Sequence, residues 1–203
     1  MLIVLTWVHI RHLQEVKMDE KELTADVRTR LLTSGLRELE EHGLCDFSLR
    51  RVAQRAQVSC AAPYRHFKDK DELILAIISH VREGWGLLAE NISDAYPDPA
   101  ERVVQICVNA VRFWVANGNL RSFLTTSLDG EEGEAKRREM SLFDAPIVHS
   151  VEEFAREKSR SDTPRLVLSV LSLVYGSVAL ALCGTDCDAV TSALSSSLAS
   201  MLN

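Results

Sequence analysis

Residues 47–73 read FSLRRVAQRAQVSCAAPYRHFKDKDEL, and this stretch decides the fold. Ser48 is a residue type that caps helices, and Leu49, Val52, Ala53 and Ala56 follow it at i, i+3, i+4 and i+7 spacing. That pattern predicts a short amphipathic helix ending by Gln57. Ser59 offers a second cap, predicting another short helix over 60–66, where Pro63 is tolerated because first-turn amides lack helical partners. Two short helices joined by so tight a turn form a helix-turn-helix pattern.

The charge of this stretch departs from that of the chain. The 203 residues carry a formal charge of −6 and a pI near 5.5. Residues 48–70 hold six Lys or Arg against one acid, a net +5, which leaves −11 for everything else. A whole-surface polyanion binder is excluded, whereas a local phosphate-binding patch on an acidic protein is what the pattern allows. A solvated basic helix face with ordinary caps would carry the same charges.

Outward from the core stretch, the chain reads as helix throughout. Val27, Leu31, Leu32, Gly35, Leu36 and Leu39 form one stripe over 23–41, with His42-Gly43 as its stop. Leu73, Ile74, Ile77, Ile78, Val81 and Trp85 predict a helix over 71–94, and 96–99, YPDP, breaks it. Further helices are predicted over 100–117, 120–128 and from about 135 or 141 to 159, with 129–134, DGEEGE, as a solvated loop between them. Pro164 opens RLVLSVLSLVYGSVALALCG, the most apolar segment, and a last helix is predicted over 189–202. Nine Gly, five Pro and the near absence of alternating patterns make the class all-α.

Five scattered cysteines, Cys45, Cys60, Cys107, Cys183 and Cys187, give neither a disulfide scaffold nor a zinc spacing. Residues 1–10 are apolar but too few to span a bilayer and lack a cleavage site, so a soluble, cytoplasmic protein without membrane contact is expected. The expected division is a leader over 1–20, which is an extra helix or an upstream start, a DNA-binding domain over 21–70, and a body over 71–203.

The ordered string 47–59 followed by Ala61-Ala62-Pro63-Tyr64-Arg65-His66-Phe67-Lys68-Asp69-Lys70-Asp71-Glu72-Leu73 closely resembles the N-terminal domain of the TetR family of transcriptional regulators. The resemblance covers about residues 28–78. It implies a three-helix DNA-binding head on a helical dimerisation and ligand-binding body, a repressor released by a small molecule. By position it assigns Ser48, Arg50 and Arg51 to the start of the positioning helix. Cys60, Ala61, Ala62, Tyr64, Arg65 and His66 fall on the recognition helix, with Lys70 on a flanking phosphate, and Ser59 and Lys68 are further DNA-contact candidates by residue type and charge. Val58 and Phe67 would be core. Gln57 replaces the family's usual turn glycine. The small 60–62 trio cannot hydrogen-bond bases bidentately, so readout falls on Arg50, Tyr64, His66 and DNA shape. A thiolate at a helix N-terminus would also make Cys60 a candidate redox switch.

In the body, the helices over 164–183 and 189–202 are the expected homodimer surface, because an apolar segment this long needs burial and its small residues permit close approach. The central core helix of a monomer is the other reading of 164–183. Trp85, Cys107, Phe113, Trp114, Phe123, Met140, Phe143 and Tyr175 are effector-pocket candidates, with core packing as the competing account. No HExxH, GxSxG or P-loop occurs, and Gly84-Trp85-Gly86 follows no strand, so neither a cofactor nor catalysis is expected. A helical interaction module without DNA binding, or a small helical enzyme, is the alternative. The expected partners are a palindromic duplex operator, a second copy and an unidentified effector.

Overall fold

The computed structural model describes residues 27–126 and 129–203, so the expected leader lies outside the described residues. Every described element is a helix, and the chain divides into two compact units, one ending at Ile77 and one running from Ile78 to Asn203.

In the first unit, α1 is Val27–His42, α2 is Leu49–Arg55 and α3 is Pro63–His66. Leu31, Leu32, Gly35 and Leu39 bury one face of α1, and Gly43 ends it at φ +68°, donating its amide to the Leu39 carbonyl at 2.9 Å. Gly35 is needed for close approach, since a Cβ there would lie 2.6 Å from Cδ1 of Ile77. Ser48 caps α2 by accepting the Arg51 amide at 3.4 Å, as its sequence position predicts. The helix expected over 60–66 is shorter than predicted. Residues 59–62 form a turn in which the Ala62 amide donates to the Ser59 carbonyl at 2.9 Å, and helix begins at Pro63, whose ring fixes φ and which lacks an amide. Ser59 therefore caps no helix, and Cys60 lies in a turn rather than at a helix N-terminus. Gln57 occupies the left-handed region at φ +54° in the turn between α2 and α3, the conformation a glycine would adopt freely.

Helix α4, Lys70–Ala95, opens with Asp71 and Glu72 at its positive end and continues into the second unit. There α5 is Pro99–Ala116, α6 Gly118–Thr125, α7 Gly130–Glu157, α8 Thr163–Leu182 and α9 Cys187–Leu202. The stretch 129–134, expected as a loop, is helical from Gly130, because acidic residues such as Glu131 and Glu134 favour a helix start that composition alone reads as solvated coil. Helix α5 is central and packs against α6, α7, α8 and α9. Its Val103, Ile106, Cys107, Val111, Phe113 and Trp114 are all 3% exposed or less, each large apolar chain contributing about 1.5–3 kcal/mol by burial. Four-residue ladders, Leu166, Val170, Val174 and Val178 on α8 and Val190, Leu194, Leu198 and Leu202 on α9, bury one stripe of each terminal helix.

The remaining surface of α8 is apolar too. Leu168, Leu180 and Leu182 are 67%, 56% and 47% exposed, and Thr163–Leu182 is long and apolar enough, by length and composition, to cross a membrane.

Candidate functional site

The first unit is organised around one carboxylate. Glu38 is fully buried on α1, and its Oε1 accepts the Ser48 amide at 3.1 Å and Arg51 Nε at 2.6 Å. His42 Nδ1 stands 3.3 Å from the other oxygen, outside hydrogen-bond alignment. Arg51 also binds Asp46 through its carbonyl and side chain, which fixes the entry of α2 against α1. Arg30 Nη1 donates to the Ala56 carbonyl at 3.3 Å, placing a cation on the C-terminal end of α2.

Against this frame the expected contact residues separate. Arg51 is held by Glu38 and Asp46, Arg55 by Glu41, and Lys70 Nζ by the Leu44 carbonyl at 2.6 Å and the Phe47 ring at 5.7 Å. Each is half-occupied by the protein's own acceptors. Arg50, Arg65 and Lys68 are exposed and, among the described residues, have no ion-pair partner. Tyr64, 63% exposed, and His66 project beside Arg65 on α3, and Ser59, Cys60 and Ala61 are exposed on the preceding turn. Ala62 departs from its expected role, since its side chain is buried with Pro63. Phe67 is core, with the Arg28 guanidinium 5.6 Å above its ring. Glu38 was missed, although a charged residue inside an apolar stripe at i+7 from Leu31 is a readable signal.

The second unit brings half of the expected pocket residues together. Trp85, Phe113, Trp114 and Phe143 form a continuous ring cluster, with Trp114 and Phe143 centroids 4.7 Å apart and Phe113 edge-on to Trp114 at 5.0 Å. These rings are buried and fill the core. Cys107 lies inside it too, and burial pushes its thiol far above the ordinary range. Phe123 is separate, beneath Lys136 Nζ at 4.2 Å, and Met140 is half-buried. Tyr175 donates its hydroxyl to Asp144 and stacks on Arg121, whose carbon Cζ is 4.9 Å from the ring centroid. Desolvation raises both the Asp144 carboxyl and the Tyr175 hydroxyl above their usual ranges, and lowers Arg121.

Open space lies elsewhere. A groove of about 740 Å³ runs between α4, α5 and α7, and of the eight expected residues Trp85 alone lines it. Its polar lining, Arg82, Glu90, Ser93, Asp94, Arg102, His149, Ser150 and Glu153, was not anticipated. Arg82 is paired with Glu139 at 3.1 Å, and Arg102 with Glu153 at 3.0 Å.

Known proteins bear on both units. Residues 31–77 match the sequence pattern of the bacterial regulatory proteins of the tetR family. The HTH-type transcriptional regulator BetI of Brucella anthropi is 26% identical over 170 residues, covering 82% of this chain and 87% of that protein. BetI of Burkholderia ambifaria is 31% identical over 100 residues, an alignment spanning 52% of that protein. The fold is shared with the crystal structure of RolR in complex with resorcinol, with a TM-score of 0.63 at 17% identity, covering 90% of this chain and 89% of that one. With its three-helix head matching the family pattern and its helical body following a curated regulator over most of that protein's length, the chain is similar in both units to the TetR-family DNA-binding transcriptional regulators.

Proposed function

We propose that the chain acts in the cytoplasm as a homodimeric repressor that binds a palindromic operator and releases it when a small molecule occupies the body. The observation that carries this reading is that Arg50, Arg65 and Lys68, exposed and without ion-pair partners among the described residues, accompany the exposed Tyr64 and His66 on a unit otherwise braced by internal ion pairs. Such a surface supplies phosphate contacts from the cations and base-edge contacts from Arg50, Tyr64 and His66, with Ser48 and the 59–61 turn near the backbone. Arg51 and Lys70 contribute by holding the reading surface in register.

Dimerisation accounts for α8. Its inner stripe is already buried against the body, and its outward Leu168 and Leu180 present a second apolar stripe flanked by the small residues Ser172, Gly176 and Ala179. A second copy buries that stripe by close helix approach, with α9 beside it, as part of a two-fold interface. Two heads then meet half-sites about one DNA turn, ~34 Å, apart. Repression is relieved when an effector favours a form that cannot span both half-sites, a coupling between two ligands of one protein. The resorcinol bound to RolR is a precedent for a small-molecule ligand on this fold.

Selection of bound sequences from random duplex DNA at two salt concentrations tests the reading. An inverted repeat should emerge, with binding that weakens steeply as salt rises. Equal affinity for random and selected duplexes, or a monomer by sedimentation, refutes it.

A further inference from the structure

We propose that the groove between α4, α5 and α7 takes a protonated amine carried on an apolar or aromatic body. This deepens the reading of the second unit as the effector domain and rests on it. The volume, about 740 Å³, is that of a small-molecule site.

Its apolar lining, Trp85, Ala89, Ile106, Leu142 and Pro146, suits a ring or a short hydrocarbon. The polar groups facing it are unbalanced in one direction. Ser150, 2% exposed, lines the groove, and its Oγ has no hydrogen-bond partner. Ser93, Ser169 and Ser172, also on helices, donate to the carbonyl four residues back, but Ser150 does not. A buried hydroxyl left unsatisfied is costly unless a ligand completes it. Pro146, inside α7, has no amide to donate to the Leu142 carbonyl one turn back, and both residues line the groove.

Charge points the same way. The two arginines lining the groove are already neutralised by Glu139 and Glu153, and His149 lies 3.5 Å from Glu153 as well. Glu90 and Asp94, one turn apart on the exposed rim of α4, have no ion-pair partner among the described residues. The site thus offers two carboxylates without ion-pair partners among the described residues and one unpartnered buried hydroxyl. A ligand that answers them brings positive charge and several N–H donors, which an ammonium supplies and a carboxylate or phosphate does not. The amine sits between the rim carboxylates, and its apolar body lies against Trp85.

Titration of the full-length protein with 2-phenylethylamine, 2-phenylethanol and 3-phenylpropionate, read by calorimetry and by tryptophan fluorescence, tests the assignment. The amine should bind saturably and about tenfold or more tighter than the alcohol and the acid. Glu90→Gln combined with Asp94→Asn should weaken the amine about tenfold and leave the alcohol unchanged, and Ser150→Ala should weaken the amine several-fold. If the double variant fails to fold by circular dichroism, Glu90→Gln alone carries the same comparison. Binding of the acid as tightly as the amine, an amine affinity unchanged by the carboxylate substitutions, or binding of none of the three overturns the proposal. Operator release measured alongside separates the two readings. Release by the acid and not the amine leaves the effector-domain reading standing and removes the amine, whereas amine binding as described without release keeps the site and removes its coupling to DNA.

Discussion

Replacing Glu38 by alanine should destabilise the first unit by about 2–3 kcal/mol, and the estimate follows from its contacts. The Arg51 Nε bond at 2.6 Å is charge-assisted, a class worth about 1.5–3 kcal/mol, but Arg51 is 39% exposed and rehydrates when its partner goes, so about 1 kcal/mol is retained here. The Ser48 amide at 3.1 Å is part-buried and loses a charged acceptor, about 1 kcal/mol more, and the cavity left by a fully buried side chain supplies the rest. The assay is urea unfolding of the full protein at one fixed concentration, with Glu38→Ala, Arg51→Ala and the double variant compared as a cycle. A coupling energy of about 1 kcal/mol is expected between the two sites. An Arg51→Ala protein as stable as wild type whose salt slope on operator DNA falls by the full value of a phosphate contact would refute the reasoning, because Arg51 would then be a DNA contact and Glu38 a bystander.

Other outcomes follow from the same contacts. Arg50→Ala, Arg65→Ala and Lys68→Ala should each reduce the slope of log affinity against log salt by about 1 at near-constant stability, measured by fluorescence anisotropy, and Arg50→Ala should also relax sequence preference. Gln57→Gly should be neutral to stabilising by about 0.5 kcal/mol in denaturant unfolding, since relief of the left-handed strain at φ +54° outweighs the glycine's entropy in the unfolded chain. Asp144 is raised chiefly by desolvation, so its folded carboxyl holds a proton more tightly than the unfolded one and stability is lost as pH rises through the folded value. Asp144→Asn should therefore gain on wild type progressively from the ordinary carboxylate range near pH 4 towards neutrality, and a gap independent of pH would contradict the burial. Leu168→Asp with Leu180→Asp should shift sedimentation from dimer to monomer and abolish binding to an inverted repeat while single-site contacts persist.

Much of this architecture is legible in the sequence because it is local. The four-residue apolar ladders of α8 and α9, the Ser48 cap and the Gly43 stop depend on neighbours within two turns, and periodicity reports them. The misreadings come from competition at short range. Cap-like Ser59 loses to Pro63, which sets where α3 begins, and the acidic run after Asp129 serves a helix start as well as it would a loop. The cationic surface was readable in kind, since charge concentration needs no coordinates, but which cations lack an ion-pair partner among the described residues was not. That depends on Glu38, Asp46, Glu41 and the Leu44 carbonyl reaching particular arginines and a lysine across the fold. The groove was illegible for the same reason. Aromatic residues were expected to line it, yet their mutual attraction gathers four of them into the core, and apart from Trp85 the lining falls to other residues of α4, α5 and α7 that meet only in three dimensions.

The outward leucines of α8 have a consequence for the life of the polypeptide before it meets a partner. A newly made subunit shows water a greasy ridge that chaperones and other unfinished chains can also grasp. In the proposed homodimer, pairing must outrun those diversions, so the concentration at which the dimer forms has a floor set by how tightly two ridges close on each other.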